Sequence, residues 1–342
     1  MANISIRFKQ VLEIQSSKYY LRSIVRLFVM LVMVFAAWQF INFYYYVVGN
    51  KIVNAPYRPP VSDAFLPFLG SITALKSFFA TGVFDSIHPA GLTILIATLF
   101  TAWVFRRAFC SWICPIGTLV QYLGILGHLV IGRNLTIPSW LDKLFLVLKY
   151  FAAAYLLIPM FFTISSADAL ALLKSPNYVT SDLILFLKWV NPTIGLVSHS
   201  IIVLALCFLF KSFWCRYLCP YGAILGIFSL FSPIVLRKKT GNCVMCGKCN
   251  NVCPNKVNTK DANSFVFSTE CTGCMSCVQE CPKSALELKI LGRYHISPLA
   301  FSVLFILVFF GAIQFAKITG HWESIISVAD YKVIYTHLTG GY

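Results

Sequence analysis

The chain has 342 residues, of which 58% are hydrophobic and only 12% charged. An ordinary soluble domain carries about 25% charge, so this sequence cannot cover a water-facing surface; a soluble globular enzyme and a disordered chain are both excluded. The charge is one-sided, with 28 Lys+Arg against 12 Asp+Glu for a net +16. It marks the edges of apolar stretches rather than building a basic, aromatic soluble domain, so nucleic acid is not an expected partner.

A helix needs about 20 mostly apolar residues to cross the ~30 Å hydrocarbon core, and five stretches qualify. A polar segment, 1–23, precedes the first, 24–47. That stretch starts too late and runs too long for a cleaved leader, and no small-residue cleavage site follows it, so it reads as a retained span. In 61–84, Phe65, Leu66, Phe68, Leu69, Ile72, Leu75, Phe78 and Phe79 have helical spacing and few charges, which predicts a helix lying in the membrane interface. The second span, 89–109, follows His88 and runs into Cys110, Cys114 and Pro115, after which a short amphipathic helix reaches 131. The third span, 144–164, carries Lys149, read as a snorkelling lysine or as a member of a proton path. Segment 165–189 repeats the interfacial pattern with Leu170, Leu172, Leu173 and Leu183 to Leu187. The fourth span, 193–213, holds His199 and Cys207 and leads to Cys215, Cys219 and Pro220. A cysteine-rich segment, 237–292, precedes the fifth span, 296–316, and a tail, 317–342.

Five spans sort the loops onto two sides. The N-terminus to Arg26, 106–149 and 211–295 together hold 21 of the 28 Lys/Arg and net +15; the other side nets +1. The positive-inside rule places the first set in the cytoplasm, with the N-terminus inside and the C-terminus in the periplasm of a bacterial inner membrane.

Twelve of the 13 cysteines fall in four runs, all on the basic side. Two runs read C-x2-C-x2-C-x3-C-P: Cys243, Cys246, Cys249, Cys253 with Pro254, and Cys271, Cys274, Cys277, Cys281 with Pro282. This is the two-cluster ferredoxin signature, in which the fourth cysteine serves the other cluster. One [4Fe–4S] cluster is therefore expected on Cys243, Cys246, Cys249 and Cys281, and a second on Cys271, Cys274, Cys277 and Cys253. Gly247 and Gly273 allow tight turns around the iron. Zinc is the competing reading of C-x2-C pairs, and the spacing of the full run does not suit it.

The other two runs read C-x3-C-P, at Cys110/Cys114 and Cys215/Cys219, in matching contexts with a basic or aromatic lead-in and Cys-Pro-x-Gly at the end. They make an internal repeat, with units 24–131 and 132–236. Each Pro suits the first position of a helix, whose N-terminal N–H groups would face thiolate sulfur. Brought together, the four cysteines would hold a third iron–sulfur centre, act as redox-active dithiols, or merely shape two Cys-Pro turns. His88, His199 and Lys149 are the candidates for a quinone site, beside an apolar slot made by the two interfacial segments. Haem is not expected.

These four runs together resemble the NapH/NosR-type membrane polyferredoxins over about 90–290, with a more distant similarity to CcoG-like proteins. The resemblance implies a quinol dehydrogenase membrane component with cytoplasmic clusters. The chain departs from it in its fifth span and exported tail, and in lacking the large periplasmic flavin domain of NosR-like members. The expected fold is an α-helical polytopic membrane protein of about five spans with an inserted α+β two-cluster ferredoxin domain at 237–292, followed by a last span within 293–316. The expected function is an electron-transfer subunit linking the quinone pool, or a cytoplasmic carrier, to a partner reductase or dehydrogenase. Its partners would be other subunits of a membrane redox complex, a periplasmic cytochrome or iron–sulfur protein, or a cytoplasmic ferredoxin or flavodoxin steered by Lys238, Lys239, Lys248 and Lys256. The alternative is a maturation factor that reduces a metal or thiol for a terminal oxidase or reductase.

Overall fold

The computed structural model describes residues 20–48, 56–65 and 68–339, with side chains at 64–69 and 339 left aside. The predicted segment 1–19 lies outside the described residues, as do Leu66 and the side chains of Phe65, Phe68 and Leu69. In chain order the elements are α1 (Tyr20–Val47), a 3-10 turn (Pro60–Phe65), α2 (Phe68–Thr81), α3 (Pro89–Phe105), α4 (Ala108–Trp112), α5 (Pro115–Ile131) and α6 (Ser139–Ile158), extended by a π turn (Pro159–Thr163). Then come α7 (Ser166–Leu173), α8 (Pro176–Val179), α9 (Ser181–Val190), α10 (Ile194–Leu209), a π turn (Trp214–Leu218) and α11 (Pro220–Leu230). The cysteine-rich segment supplies β1 (Ile234–Lys238), α12 (Lys248–Val252), β2 (Phe265–Val266), α13 (Ser276–Gln279), β3 (Leu286–Ile290) and β4 (Tyr294–Ile296); α14 (Pro298–Ile318) and α15 (Val328–Thr339) follow.

All five predicted spans carry helix, but the lengths differ from expectation. Three are long and apolar enough to cross a membrane: α1, Ser139–Thr163 and α14. A fourth is reached only by counting α9 and α10, bent by 83° at their junction, as one broken span. Helix α3 has 17 residues and α10 has 16, or roughly 25 Å at 1.5 Å per residue. Their early ends have local causes. Arg106 (φ 58°) and Ser212 (φ 54°) turn the chain into the left-handed region just past α3 and α10, and Asn191-Pro192 breaks the helix before α10.

The chain divides into two compact units. Unit 1 comprises Met1–Val29, Thr98–Ala153 and Ser198–Phe309. Its sheet is antiparallel throughout, in the order β2-β1-β3-β4. It runs from Ile234 to Ile296, a few residues past both ends of the cysteine-rich segment. Ile234 and Leu236 of β1 and Leu286 and Leu288 of β3 are buried. Phe105, Phe109 and Trp112 pack on Phe301, Phe305 and Phe309 of α14 with ring centroids 5.5–6.3 Å apart. Cys207 is buried with Val120, Phe213 and Tyr217.

Unit 1 is not a ferredoxin domain hanging free of apolar helices. Basic side chains counted in the sequence as edge markers hold the cysteine-rich segment by its backbone carbonyls. Arg22 donates to Cys274 O (3.0 Å), Arg106 to Val266 O (3.2 Å), Arg107 to Thr269 O (2.7 Å) and Lys211 to Asn251 O (3.0 Å). Arg216 donates to Asn255 O and pairs with Asp142 at 2.8 Å. A charged donor to a buried carbonyl contributes about 1.5–3 kcal/mol.

Unit 2 comprises Met30–Ala97, Ala154–Val197 and Phe310–Tyr342. Its core gathers Phe40, Phe43, Val47, Val179, Leu183, Tyr331 and Tyr335, so part of the predicted tail is packed rather than free. A second cluster, Ala74, Leu92 and Leu173, joins the two segments predicted to be interfacial. Lys76 donates to the carbonyls of Met160 (3.1 Å), Phe161 (2.9 Å) and Ile164, closing the end of the π turn where four carbonyls lack helical partners.

Candidate metal centres

The two C-x2-C-x2-C-x3-C-P runs have the same backbone. In the first, Met245 (φ 55°) and Gly247 (φ 74°) flank Cys246; in the second, Gly273 (φ 56°) and Met275 (φ 63°) flank Cys274. Both residues beside the middle cysteine are thus left-handed in each run, with glycine at one position and methionine at the other. Alternating right- and left-handed residues turn successive N–H groups to one side, the concavity that suits an anionic cluster. A methionine in this region costs roughly 1 kcal/mol or more. Past each Cys-Pro the match continues: Lys256 (φ 50°) and Ser284 (φ 46°) turn the chain back. The N–H of Val257 then donates to Cys253 Sγ at 3.3 Å and that of Ala285 to Cys281 Sγ at 3.2 Å.

The structure brings cysteines of the two runs together crosswise. Cys243, Cys246, Cys249 and Cys281 line one surface cavity, with Val244, Met245, Lys248, Lys260 and Lys283 around it. Cys253 lies in the electrostatic neighbourhood of Cys271 and Cys274, and Cys277 in that of Cys274, Cys271 and Cys253. Burial, then the neighbouring Cys274, pushes the Cys253 thiol up to about 12. The Cys277 thiol is raised well above its usual range by burial and the same neighbours. Cys274 is the exception: burial would raise it, but the Arg22 charge and the Ser276 hydroxyl outweigh that and hold it below. Crowded thiols of this kind lose protons together only when positive charge compensates them, as a bound metal centre would.

The C-x3-C-P runs form a third group. Cys114 and Cys219 are N-caps of α5 and α11, with Pro115 and Pro220 at the first helical position, and their sulfurs accept from Gly117 N (3.4 Å) and Gly222 N (3.3 Å). Cys215 is in electrostatic reach of Cys219, Cys114 and Cys110. Burial, followed by those neighbours, raises Cys215 well above the usual thiol range and Cys114 to about 12. Tyr221, T-shaped against Phe109 with ring centroids 6.1 Å apart, is in electrostatic reach of Cys110, Cys114 and Cys219, its hydroxyl bonded to Thr98. Among the described residues, no three His, Cys, Asp or Glu side chains close around a single metal ion.

The first C-x3-C-P run also grips the second ferredoxin run. Ser111 Oγ donates to Thr272 O at 2.7 Å and Trp112 Nε1 to Gly273 O at 3.1 Å. Beside them lies a buried ionic triad: Lys149 Nζ is 2.6 Å from Glu270 Oε1, and Arg107 Nη1 is 3.1 Å from Glu270 Oε2. Lys149 does not snorkel; it is 1% exposed and spent on Glu270.

His88 and His199 lie in different units and in different settings. His88 is 1% exposed, with Nδ1 2.9 Å from Asp63 and 2.8 Å from Arg58, and Nε2 2.8 Å from the Tyr178 carbonyl. Arg58 also meets Asp182 at 2.8 Å, and Tyr178 Oη donates to Asp85 at 2.5 Å. Burial pulls the imidazole down, but the Asp63 hydrogen bond and charge outweigh it and His88 is net raised. His199 is exposed on α10. A cavity beside α7 is lined by Thr163, Ile164, Asp168, Ala171, Leu172 and Ser175. Sequence reasoning missed Arg107, Glu270, Asp63, Arg58 and Asp182. Glu270 had one signal, its place directly before Cys271; the others carried none beyond their charge.

Comparison with known proteins agrees with these motifs. Residues 87–137 and 193–242 both match a 4Fe-4S binding domain, and residues 235–282 match a 4Fe-4S dicluster domain. The chain is 32% identical to YccM of Escherichia coli (strain K12), whose name assigns it to electron transport, over 86% of this chain and 83% of that one. It is 23% identical to the ferredoxin-type protein NapH of the same strain, over 70% of this chain and 81% of NapH. It is 27% identical to the regulatory protein NosR of Stutzerimonas stutzeri, over 52% of this chain and only 25% of NosR. No solved structure matches. With apolar helices able to cross a membrane and repeated 4Fe–4S binding motifs, the chain belongs to the NapH/NosR-type polyferredoxins.

Proposed function

We propose that the chain is an electron-transfer subunit of a membrane redox complex, passing single electrons between the quinone pool, or a cytoplasmic carrier, and a partner reductase or dehydrogenase. The observation that carries this reading is the gathering of twelve cysteines into three groups within one compact unit. Cys243, Cys246, Cys249 and Cys281 would hold one [4Fe–4S] cluster, and Cys271, Cys274, Cys277 and Cys253 the second. Cys110, Cys114, Cys215 and Cys219 would hold a third iron–sulfur centre. Bound there, the clusters supply one-electron chemistry; the chain supplies thiolates, burial and N–H donors to sulfur.

Cys246 is the most exposed of the twelve, which supports an order. The first group lines a surface cavity with Cys246 exposed, whereas Cys274 and Cys277 are half-buried in a loop held by Arg22, Ser111 and Trp112. The second group is gripped by the C-x3-C-P run itself. Electrons would therefore pass between the C-x3-C-P group and the surface through the second group, then the first. The charge asymmetry supports an N-terminus and cysteine-rich face in the cytoplasm of an inner membrane, with the C-terminus outside. It also supports docking of an acidic carrier beside the exposed lysines around Cys246.

The maturation reading needs C-x3-C-P dithiols that attack as thiolates. A cluster at Cys110, Cys114, Cys215 and Cys219 calls for thiolates too, so experiment separates the two readings. The test is quinol addition to the intact chain reconstituted in liposomes, followed by cluster absorbance. Bleaching by quinol is expected. Clusters that ignore quinol, with a partner enzyme that lacks its metal when this chain is deleted, would establish the maturation role instead.

A further inference from the structure

Two cations and one carboxylate are sealed between the C-x3-C-P cysteines and the second ferredoxin run. The side chains of Arg107 and Lys149 are fully buried, and that of Glu270 is 6% exposed. Arg107 reaches toward both C-x3-C-P motifs: Nη2 is 3.5 Å from the Cys215 carbonyl and stands 2.7 Å from where a side chain on Gly222 would begin. Its charge acts on Cys110 and Cys219, and that of Lys149 acts on Cys219. Glu270 precedes Cys271 in the chain, and Asn255, two residues past Cys253, donates to its carbonyl at 3.0 Å. Arg107 Nε, wholly buried, has no hydrogen-bond partner among the described residues.

One carboxylate does not neutralise two cations. A buried net positive charge is costly unless something anionic lies against it, and the groups in reach that become anionic on binding iron are Cys110, Cys215 and Cys219. We propose that Arg107 and Lys149 set the reduction potential of the C-x3-C-P centre, with Glu270 as the counter-charge shared with the second cluster. This rests on the reading that these four cysteines hold an iron–sulfur centre. Uptake of one electron adds one negative charge there, with no bond made and no proton moved. Two fixed cations at low dielectric stabilise that added charge, so the centre is reduced more readily than four crowded thiolates alone would allow. The carboxylate works against them on both sides. Glu270 lowers both potentials while the two cations raise that of the C-x3-C-P centre, so the triad sets the potential difference that drives transfer between them.

The test is a redox titration of the purified full-length chain, followed by electron paramagnetic resonance, for wild type, Lys149→Met and Glu270→Gln. Lys149→Met, close in volume and without charge, lowers the midpoint of the C-x3-C-P centre by a factor of about ten in the one-electron equilibrium, or about 59 mV. Glu270→Gln raises it by a similar factor and also raises the second cluster, while the cluster at Cys243 stays within a small fraction of that. A purely structural role moves both variants the same way or neither, and either result overturns the inference while leaving the third centre standing. A wild-type chain that shows only two signals removes the third centre itself, and this inference with it.

Discussion

The indole N–H of Trp112 donates to the carbonyl oxygen of Gly273 at 3.1 Å. Trp112 lies between Cys110 and Cys114, and Gly273 between Cys271 and Cys274, so one hydrogen bond ties a C-x3-C-P run to a ferredoxin run. Trp112→Phe keeps the ring but leaves a buried carbonyl unpaired, at a cost of about 1–3 kcal/mol. Thermal unfolding in detergent, with iron content as second readout, is expected to show a lower midpoint and slower cluster retention at Cys271–Cys277 than at Cys243–Cys249.

The C-x3-C-P-x-G turns separate by what their glycines touch. A side chain on Gly117 would begin 2.2 Å from the backbone oxygen of Cys110, whereas on Gly222 the nearest atom is the mobile end of Arg107 at 2.7 Å. Gly117→Ala should abolish the turn and remove the iron of the third centre. Gly222→Ala should keep the iron and displace Arg107, showing a shifted midpoint instead. Iron counts on the two variants check this.

The ferredoxin-run glycines separate in the same way. Both need positive φ, but a side chain on Gly247 would meet only Lys260 Cδ, at an ordinary 4.0 Å, while on Gly273 it would meet the Phe105 carbonyl at 3.1 Å and the Phe301 ring at 3.2 Å. Gly247→Ala should cost about 1 kcal/mol, the backbone strain alone, and Gly273→Ala at least twice that. Denaturant midpoints of the loaded chain measure the difference.

Unit 2 carries a pH dependence of defined sign. His88 is raised in the folded chain, burial being outweighed by Asp63, so its contribution to stability is full below the ordinary value of about 6.5 and is lost as pH rises through the folded value. Asp63 is held below the carboxylate range by Arg58 and His88, against burial; its contribution is present above about 3.9 and lost as pH falls through the folded value. His88→Gln should flatten the alkaline side of the stability profile and weaken, without abolishing, the acid side, where Arg58 still holds Asp63 down. A profile unchanged on the alkaline side would show that His88 is not the titrating group.

Much of this was legible in the sequence because it is periodic or covalently local. The apolar stretches, the Cys-Pro helix starts and the crosswise grouping of Cys253 and Cys281 follow from spacing alone. Span lengths were less legible, because α3 and α10 end at left-handed Arg106 and Ser212, whose conformations are set by packing. Neither reading of Lys149, snorkelling or proton path, names its partner, because Glu270 is 121 residues away. Arg22, Arg106, Arg107 and Arg216 showed as topology marks, and charge counting cannot distinguish a side chain facing lipid headgroups from one donating to a buried carbonyl. The Arg58–Asp63–His88–Asp182 network draws on three separate segments, and no spacing in the chain announces it.

The relay requires that the twelve cysteines serve three iron–sulfur centres. Iron and acid-labile sulfide, counted per chain after anaerobic purification of wild type and Cys215→Ala, decide this. About 12 of each in wild type and about 8 in the variant is the expected result, at four irons per centre. About 8 in both proteins, or zinc in place of iron, would contradict it.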